Sequence, residues 1–149
     1  MRYWLMKSEP EVFGIEHLKQ RRIEPWDGVR NYQARNFLRA MRVGDRAFFY
    51  HSNCPAPGIT GMMEIVKSAY PDATQFDPTS PYFDPRSDPQ NPRWQRVDVR
   101  FVRDLKRLVS LREIKNYPEL RDLPLVQRGS RLSVMPLTER QWRFILSVE

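Results

Sequence analysis

The chain has one cysteine, Cys54, and only two histidines, His17 and His51. A lone cysteine excludes an internal disulfide framework and fits a reducing compartment. One thiol and two imidazoles fall short of an ordinary zinc ligand set, so no metal is expected. The sequence lacks a Gly-x-x-x-x-Gly-Lys-Ser/Thr loop and a Gly-x-Gly-x-x-Gly turn. That removes the usual support for nucleoside-triphosphate and dinucleotide enzymes, and no cofactor is expected. The N-terminal apolar run stops at Lys7, too early for a signal peptide. No apolar run approaches membrane-spanning length. A cytoplasmic protein is expected, or a nuclear one in a eukaryote, with no membrane partner.

What is present is enough for a core. At 149 residues, 40% of them apolar, the chain reads as one domain, 1–149, and as a monomer. The formal net charge is +7 and the pI about 9.9, mostly through arginine spread along the chain. Arginine pairs bidentately with phosphate, so a polyanion is the expected partner; a merely basic soluble protein is the alternative.

Tyr3–Met6 reads as a buried strand ended by Lys7-Ser8-Glu9-Pro10, because Pro10 lacks an N–H and holds Glu9 extended. A short helix follows over Ile15–Lys19, then a connector over Arg21–Pro25 with a brief strand. Asn31 caps the clearest helix, whose Ala34, Phe37, Leu38 and Met41 form one apolar face and whose Arg35, Arg39 and Arg42 form a stripe beside it. Gly44 is its expected stop. Arg46–His51 reads as a central strand and Gly58–Tyr70 as a long one, with Gly61 marking a bend or a close approach. Pro71–Arg93 holds six of the thirteen prolines and reads as an ordered loop packed on the body, a candidate lid. Trp94–Val102 alternates as a half-buried strand that Leu105–Val109 continues. Short helical turns near Ser110–Asn116 and Pro118–Asp122, a turn at Arg128–Ser130 and a last strand at Leu132–Met135 complete the pattern. Thr138 and Gln141 make a capping box for a C-terminal helix whose Trp142, Ile145 and Leu146 face inward. These elements imply an α+β domain built on a small, mostly antiparallel barrel.

Catalysis has little foothold. Cys54 and His51 lie three apart at a strand end, where they point to opposite faces. Glu9, Asp27 and Glu64 are carboxylates that no spacing singles out, and Glu64 reads as outward-facing. Binding fits better. Trp26 stands beside an Asp-Gly turn ahead of a helix N-terminus, where an indole stacks on a base; the alternative is a core tryptophan. Asn31 is a ligand or a cap, while Ser8 and Asn53 end strands and are freer. Arg30, Arg35 and Arg39 are phosphate contacts or a solvated helix face.

Four stretches resemble the signatures of the EVE domain, a PUA-like family beside YTH and ASCH domains. They are Lys7–Pro10, Trp26-Asp-Gly-Val-Arg-Asn-Tyr-Gln-Ala-Arg-Asn36, Phe48–Ser52 and Arg131-Leu-Ser133. The resemblance extends to Tyr70-Pro71-Asp72 and to Trp94 with Val97–Val99. It implies a five- to six-stranded pseudo-barrel with surrounding helices, and a pocket for a modified base. The implied function is non-catalytic reading of 5-methyl- or 5-hydroxymethylcytosine in DNA, with RNA as a second partner class. By motif, the implied ligand-binding residues are Lys7, Ser8, Trp26, Arg30, Asn31, Tyr32, His51, Ser52, Asn53, Arg131, Leu132 and Ser133. ASCH-like relatives hydrolyse acylated cytosine nucleosides, so a hydrolase using Lys7 with Glu9 or Glu64 is the rival expectation.

Overall fold

The computed structural model describes all residues, Met1–Glu149. The strands are β1 (Tyr3–Ser8), β2 (Ile23–Trp26), β3 (Arg46–His51), β4 (Gly58–Pro71), β5 (Gln95–Ser110) and β6 (Val134–Leu137). The helices are α1 (Pro10–Phe13), α2 (Ile15–Arg21), α3 (Tyr32–Ala40), α4 (Leu111–Asn116) and α5 (Glu139–Val148). The strands form one six-stranded sheet in the order β2-β5-β4-β3-β1-β6. Every neighbouring pair is antiparallel except β1 with β3. No helix is long and apolar enough to cross a membrane.

The sheet coils because its two long strands slip against each other. The β4–β5 register shifts in four places, and each shift adds bend and twist. Gly61 lies at one of them; an added Cβ would meet Ile15 Cδ1 at 2.7 Å and the Arg103 carbonyl oxygen at 3.1 Å. The ladder ends at β2 and β6 without closing, and α3 packs against β6, β5 and β4 across the gap. Ala34 and Leu38 are its buried residues, with Met41 buried just past its end. The helix ends at Ala40, earlier than the Gly44 stop, because Met41 is already extended; Gly44, at φ +96°, instead sits in the turn that follows.

Four consecutive residues of β3, Ala47–Tyr50, and three of β1, Trp4–Met6, are buried, so both faces of the sheet centre are covered. Alternation sends successive side chains to opposite sides. On one side Phe48 and Tyr3 stack on Trp142 of α5, at 3.9 and 4.7 Å between ring centroids. On the other, Phe49 meets Trp26 and Phe13, and Trp4 meets Phe37 of α3. The last strand runs two residues later than its apolar pattern suggests, leaving Leu132 and Ser133 as the approach to it. Thr138 and Gln141 form the capping box of α5.

Gly58 gives a direct test of how tightly β4 and β5 pack. A Cβ there would lie 2.5 Å from the Val109 carbonyl oxygen. Gly58→Ala is expected to cost about 1–3 kcal/mol, lowering the melting temperature by about 2–4 °C per kcal/mol in calorimetry. Thr138→Ala is expected to cost only about 1 kcal/mol, the value of one helix cap.

A cationic cavity at the strand rim

The C-terminal ends of β1 and β3 lie side by side, with Lys7 opposite Tyr50 and Ser8 opposite His51. Alternation splits these neighbours. Lys7 and Tyr50 line a cavity of about 930 Å³ on the side of the sheet that α5 covers. Ser8 and His51 face the side of Phe49 and Trp26. So the Lys7-Ser8 pair that is continuous in sequence serves two different surfaces.

The cavity is lined by Lys7, Tyr50, Ser52, Asn53 and Cys54 from the strand rim, and by Lys115, Arg121 and the Gln127–Ser130 turn from the opposite wall. Its volume is in the range of ligand sites, roughly 300–1,000 Å³. No carboxylate lines it. Burial pushes the Lys7 ammonium below its ordinary pKa. The Lys7 backbone N–H is fixed on the Ser133 carbonyl oxygen at 2.8 Å, and its side chain reaches over the Tyr50 ring at 5.9 Å. Burial raises the Tyr50 hydroxyl to about 12, so it stays a neutral hydrogen-bonding group.

On the other side the residues are more occupied. Ser8 donates its hydroxyl to the Phe13 carbonyl at 2.6 Å and keeps only acceptor capacity. His51 Nε2 accepts the Ile15 N–H at 3.1 Å, and burial holds its pKa below the usual value. It is a structural acceptor at the start of α2, as its strand-end position suggests. Trp26 is 5% exposed and meets Phe49 and Phe13 nearly edge-to-face. Thus Trp26 sits in the core and does not reach the cavity that Lys7 lines. Next to it Asp27 has its pKa raised by burial and by Asp72, with Arg96 no closer than 3.7 Å.

Arg30 is not free for phosphate. It donates to the Tyr82 carbonyl through Nε and Nη2, to Val29 O and Asp72 through Nη1, and to Thr74 Oγ1 through Nη2. That uses all five of its donors. Asn31 spends its side-chain oxygen on the Ala34 N–H as the α3 cap. Tyr32 stacks on Trp94 at 4.9 Å, with Arg35 over its ring at 4.7 Å. Arg35 also donates to Arg93 O and Asn36, whereas Arg39 is exposed. Leu132 is in the core cluster, Arg131 is exposed, and Ser133 contributes its backbone carbonyl.

The structure therefore gathers Lys7, Ser52 and Asn53 in one cavity and places Ser8, Trp26 and His51 behind it. Lys115, Arg121 and Arg128 were missed by the sequence reading; their only signal was membership in the general charge excess. Asp72, at the start of the proline-rich loop, is fully buried under Arg30. Neither carboxylate of the expected hydrolase pairs with Lys7. Glu9 accepts from Asn53 at 3.2 Å, and Glu64 pairs with Arg100. A second cavity of about 710 Å³ lies at the other end of β1, against Phe37 and Leu137, and none of the sequence-derived site residues lines it.

Comparison with known proteins places these features in context. The EVE domain description matches residues 2–148. Human thymocyte nuclear protein 1 is 51% identical over 166 residues, spanning 99% of this chain and 73% of that protein. The crystal structure of human THYN1 protein in complex with 5-methylcytosine containing DNA superposes with a TM-score of 0.96 at 51% identity, covering 99% of this chain and 97% of that one. A Zygosaccharomyces rouxii MRB1 YTH domain, in complex with N6-methyladenosine RNA, shares the fold at TM-score 0.56 and 14% identity, covering 99% of this chain and 85% of that one.

The Arg30–Asp72 pair yields a stability prediction with a pH signature. Burial pushes the Asp72 carboxyl up, but hydrogen bonds from Thr74, Gly28 and Arg30 outweigh it and hold the pKa below the ordinary value. A depressed folded pKa stabilises above the unfolded value, about 3.9, and that stability is lost as pH falls through the folded pKa. Arg30→Leu, which strands the buried carboxylate, is expected to cost about 3–5 kcal/mol at neutral pH. In urea titrations its deficit relative to wild type should shrink as the pH is lowered toward the depressed pKa of Asp72, where the carboxyl is protonated in both proteins.

Proposed function

The chain belongs to the EVE domain family, and on that premise we propose that it is a non-catalytic module that reads a modified cytosine in nucleic acid, DNA before RNA. The observation that carries the nucleic-acid part of this reading is the half-buried Lys7 ammonium, placed without a counter-charge in a cavity free of carboxylates. A buried cation without a partner is costly, and an arriving anion removes that cost. The relative crystallised with 5-methylcytosine containing DNA is half identical to this chain over its whole length, which supports the same ligand class here.

The other side of the rim supplies groups suited to a base. Ser8 Oγ donates its one hydrogen bond to the Phe13 carbonyl and can otherwise only accept, which complements the exocyclic N4 amine of cytosine and not the O4 of thymine. Asn53, on the cavity side, donates through Nδ2 to Glu9 and keeps its side-chain oxygen free to accept. Stacking on Trp26 requires the base to displace Phe13, which is only partly buried. Exposed Arg39 and the unpaired Lys7 are the candidate phosphate contacts, Arg35 is drawn toward Arg93 O and Asn36, and Arg30 is assigned to the scaffold. The hydrolase reading loses its dyad, because both proposed carboxylates are engaged elsewhere.

Matched DNA and RNA strands, with and without one 5-methylcytosine, test the reading by competition in fluorescence anisotropy. The modified DNA strand is expected to bind most tightly; equal binding of all four sinks the reader assignment. Ser8→Ala should narrow the preference for cytosine over thymine at the tested position, and Trp26→Phe should keep more affinity than Trp26→Ala. Loss of one stacked base is worth about 1–3 kcal/mol.

A further inference from the structure

Alternation along β1 and β3 gives the rim two sides, and the cationic side has a wall that base reading does not explain. Lys115 on α4, Arg121 beyond it and Arg128 in the following turn line the same cavity as Lys7. None of the four has a carboxylate within 4.0 Å. The arginines of β5 behave differently: Arg100, Arg103 and Arg107 each pair with a glutamate. Lys115, Arg121 and Arg128 are exposed at their residues, so none is needed to hold a core together. Between them lie neutral hydrogen-bonding groups, Ser52, Gln127 and Ser130. Unpaired cations spaced by hydroxyls and amides, around a cavity without acids, suit phosphodiester oxygens.

We propose that this cavity is a phosphodiester site, in which Lys115, Arg121 and Arg128 hold the backbone of the strand whose base is read on the opposite side of the sheet. The proposal rests on the reader assignment for the identity of the strand. It adds a division of labour: affinity is set in the cavity, and preference for the modification is set around Ser8 and Trp26. The split follows from the two-residue repeat of a strand, which sends Lys7 and Ser8 in opposite directions.

The test measures binding of a short single strand carrying one 5-methylcytosine, and of its unmodified twin, across a salt series. Lys115→Ala, Arg121→Ala and Arg128→Ala are each expected to weaken both strands by the same factor and to flatten the salt dependence by about 0.7 per lost contact. The ratio of modified to unmodified affinity should stay at the wild-type value. Unchanged slopes in all three variants overturn the site, and a ratio that falls along with the slope overturns the division of labour. If the wild-type ratio is already one while the slopes still flatten, the base reading fails and the phosphodiester site stands. Cys54, the only thiol in the chain, provides a readout without mutation because it lines the cavity. Bound strand should slow its alkylation by a maleimide. Inorganic pyrophosphate at the same concentration should protect it far less, and equal protection by pyrophosphate would show a free-phosphate site and overturn the strand proposal.

Discussion

The buried contact between Arg30 and Asp72 is the constraint on which the arrangement of this domain depends. A fully buried carboxylate costs several kcal/mol unless it is both paired and hydrogen-bonded. Asp72 is satisfied on every side: by the Gly28 N–H at 2.9 Å, by both donors of Thr74 and by Arg30 at 3.0 Å. Arg30 in turn grips the Tyr82 carbonyl and lies near the rings of Tyr82 and Trp94. This ties the turn before α3 to the proline-rich loop. Buried Gln75 ties the loop's two ends together, donating to the Asp72 and Trp94 carbonyls and accepting from Ser87 and the Trp94 N–H. A segment with many prolines and little regular structure is thereby held by polar groups that cannot be left unpaired. The start of α3, and with it the helix that spans the sheet's gap, inherits that fixity.

Much of the fold was legible because its signals were local. The α3 cap, the apolar face of Ala34 and Leu38, the bend at Gly61 and the capping box of α5 each depend on a few adjacent residues. The order of the strands and the single parallel pair do not, and neither was anticipated. Gly44 misled because glycine after a helical pattern marks either a cap or the next turn, and here Met41 leaves the helix first. Trp94 was counted as strand, but its indole N–H goes to Asp84 and its ring to Tyr32, so it anchors the loop just ahead of β5.

The site was legible in part. Lys7, Ser52 and Asn53 were picked out as rim residues and do share a cavity. Arg30 and Asn31 were drawn from the same motif, yet their side chains are consumed in building it. A motif read from sequence cannot separate residues that make a surface from those that touch a ligand, because both are tied to the same backbone. The far wall was missed for a different reason. Lys115, Arg121 and Arg128 lie on short helical and turn segments whose docking onto the α5 side is set by contacts such as Tyr117 with Phe144. No periodicity announces where such segments land.

The position of β1 has a consequence for how the molecule comes into being. Its neighbours are β3, some forty residues on, and β6, near the far end of the chain. The β3-β4-β5 meander pairs neighbours in sequence and faces a smaller closure entropy than the ladders that embed β1. β1 is thus fully housed only after both of its distant partners have formed. Lys7 receives its anchoring carbonyl from Ser133, and the Gln127–Ser130 turn belongs to the cavity wall. The cavity at the end of β1 is therefore complete only once Ser133 and the Gln127–Ser130 turn have docked beside it.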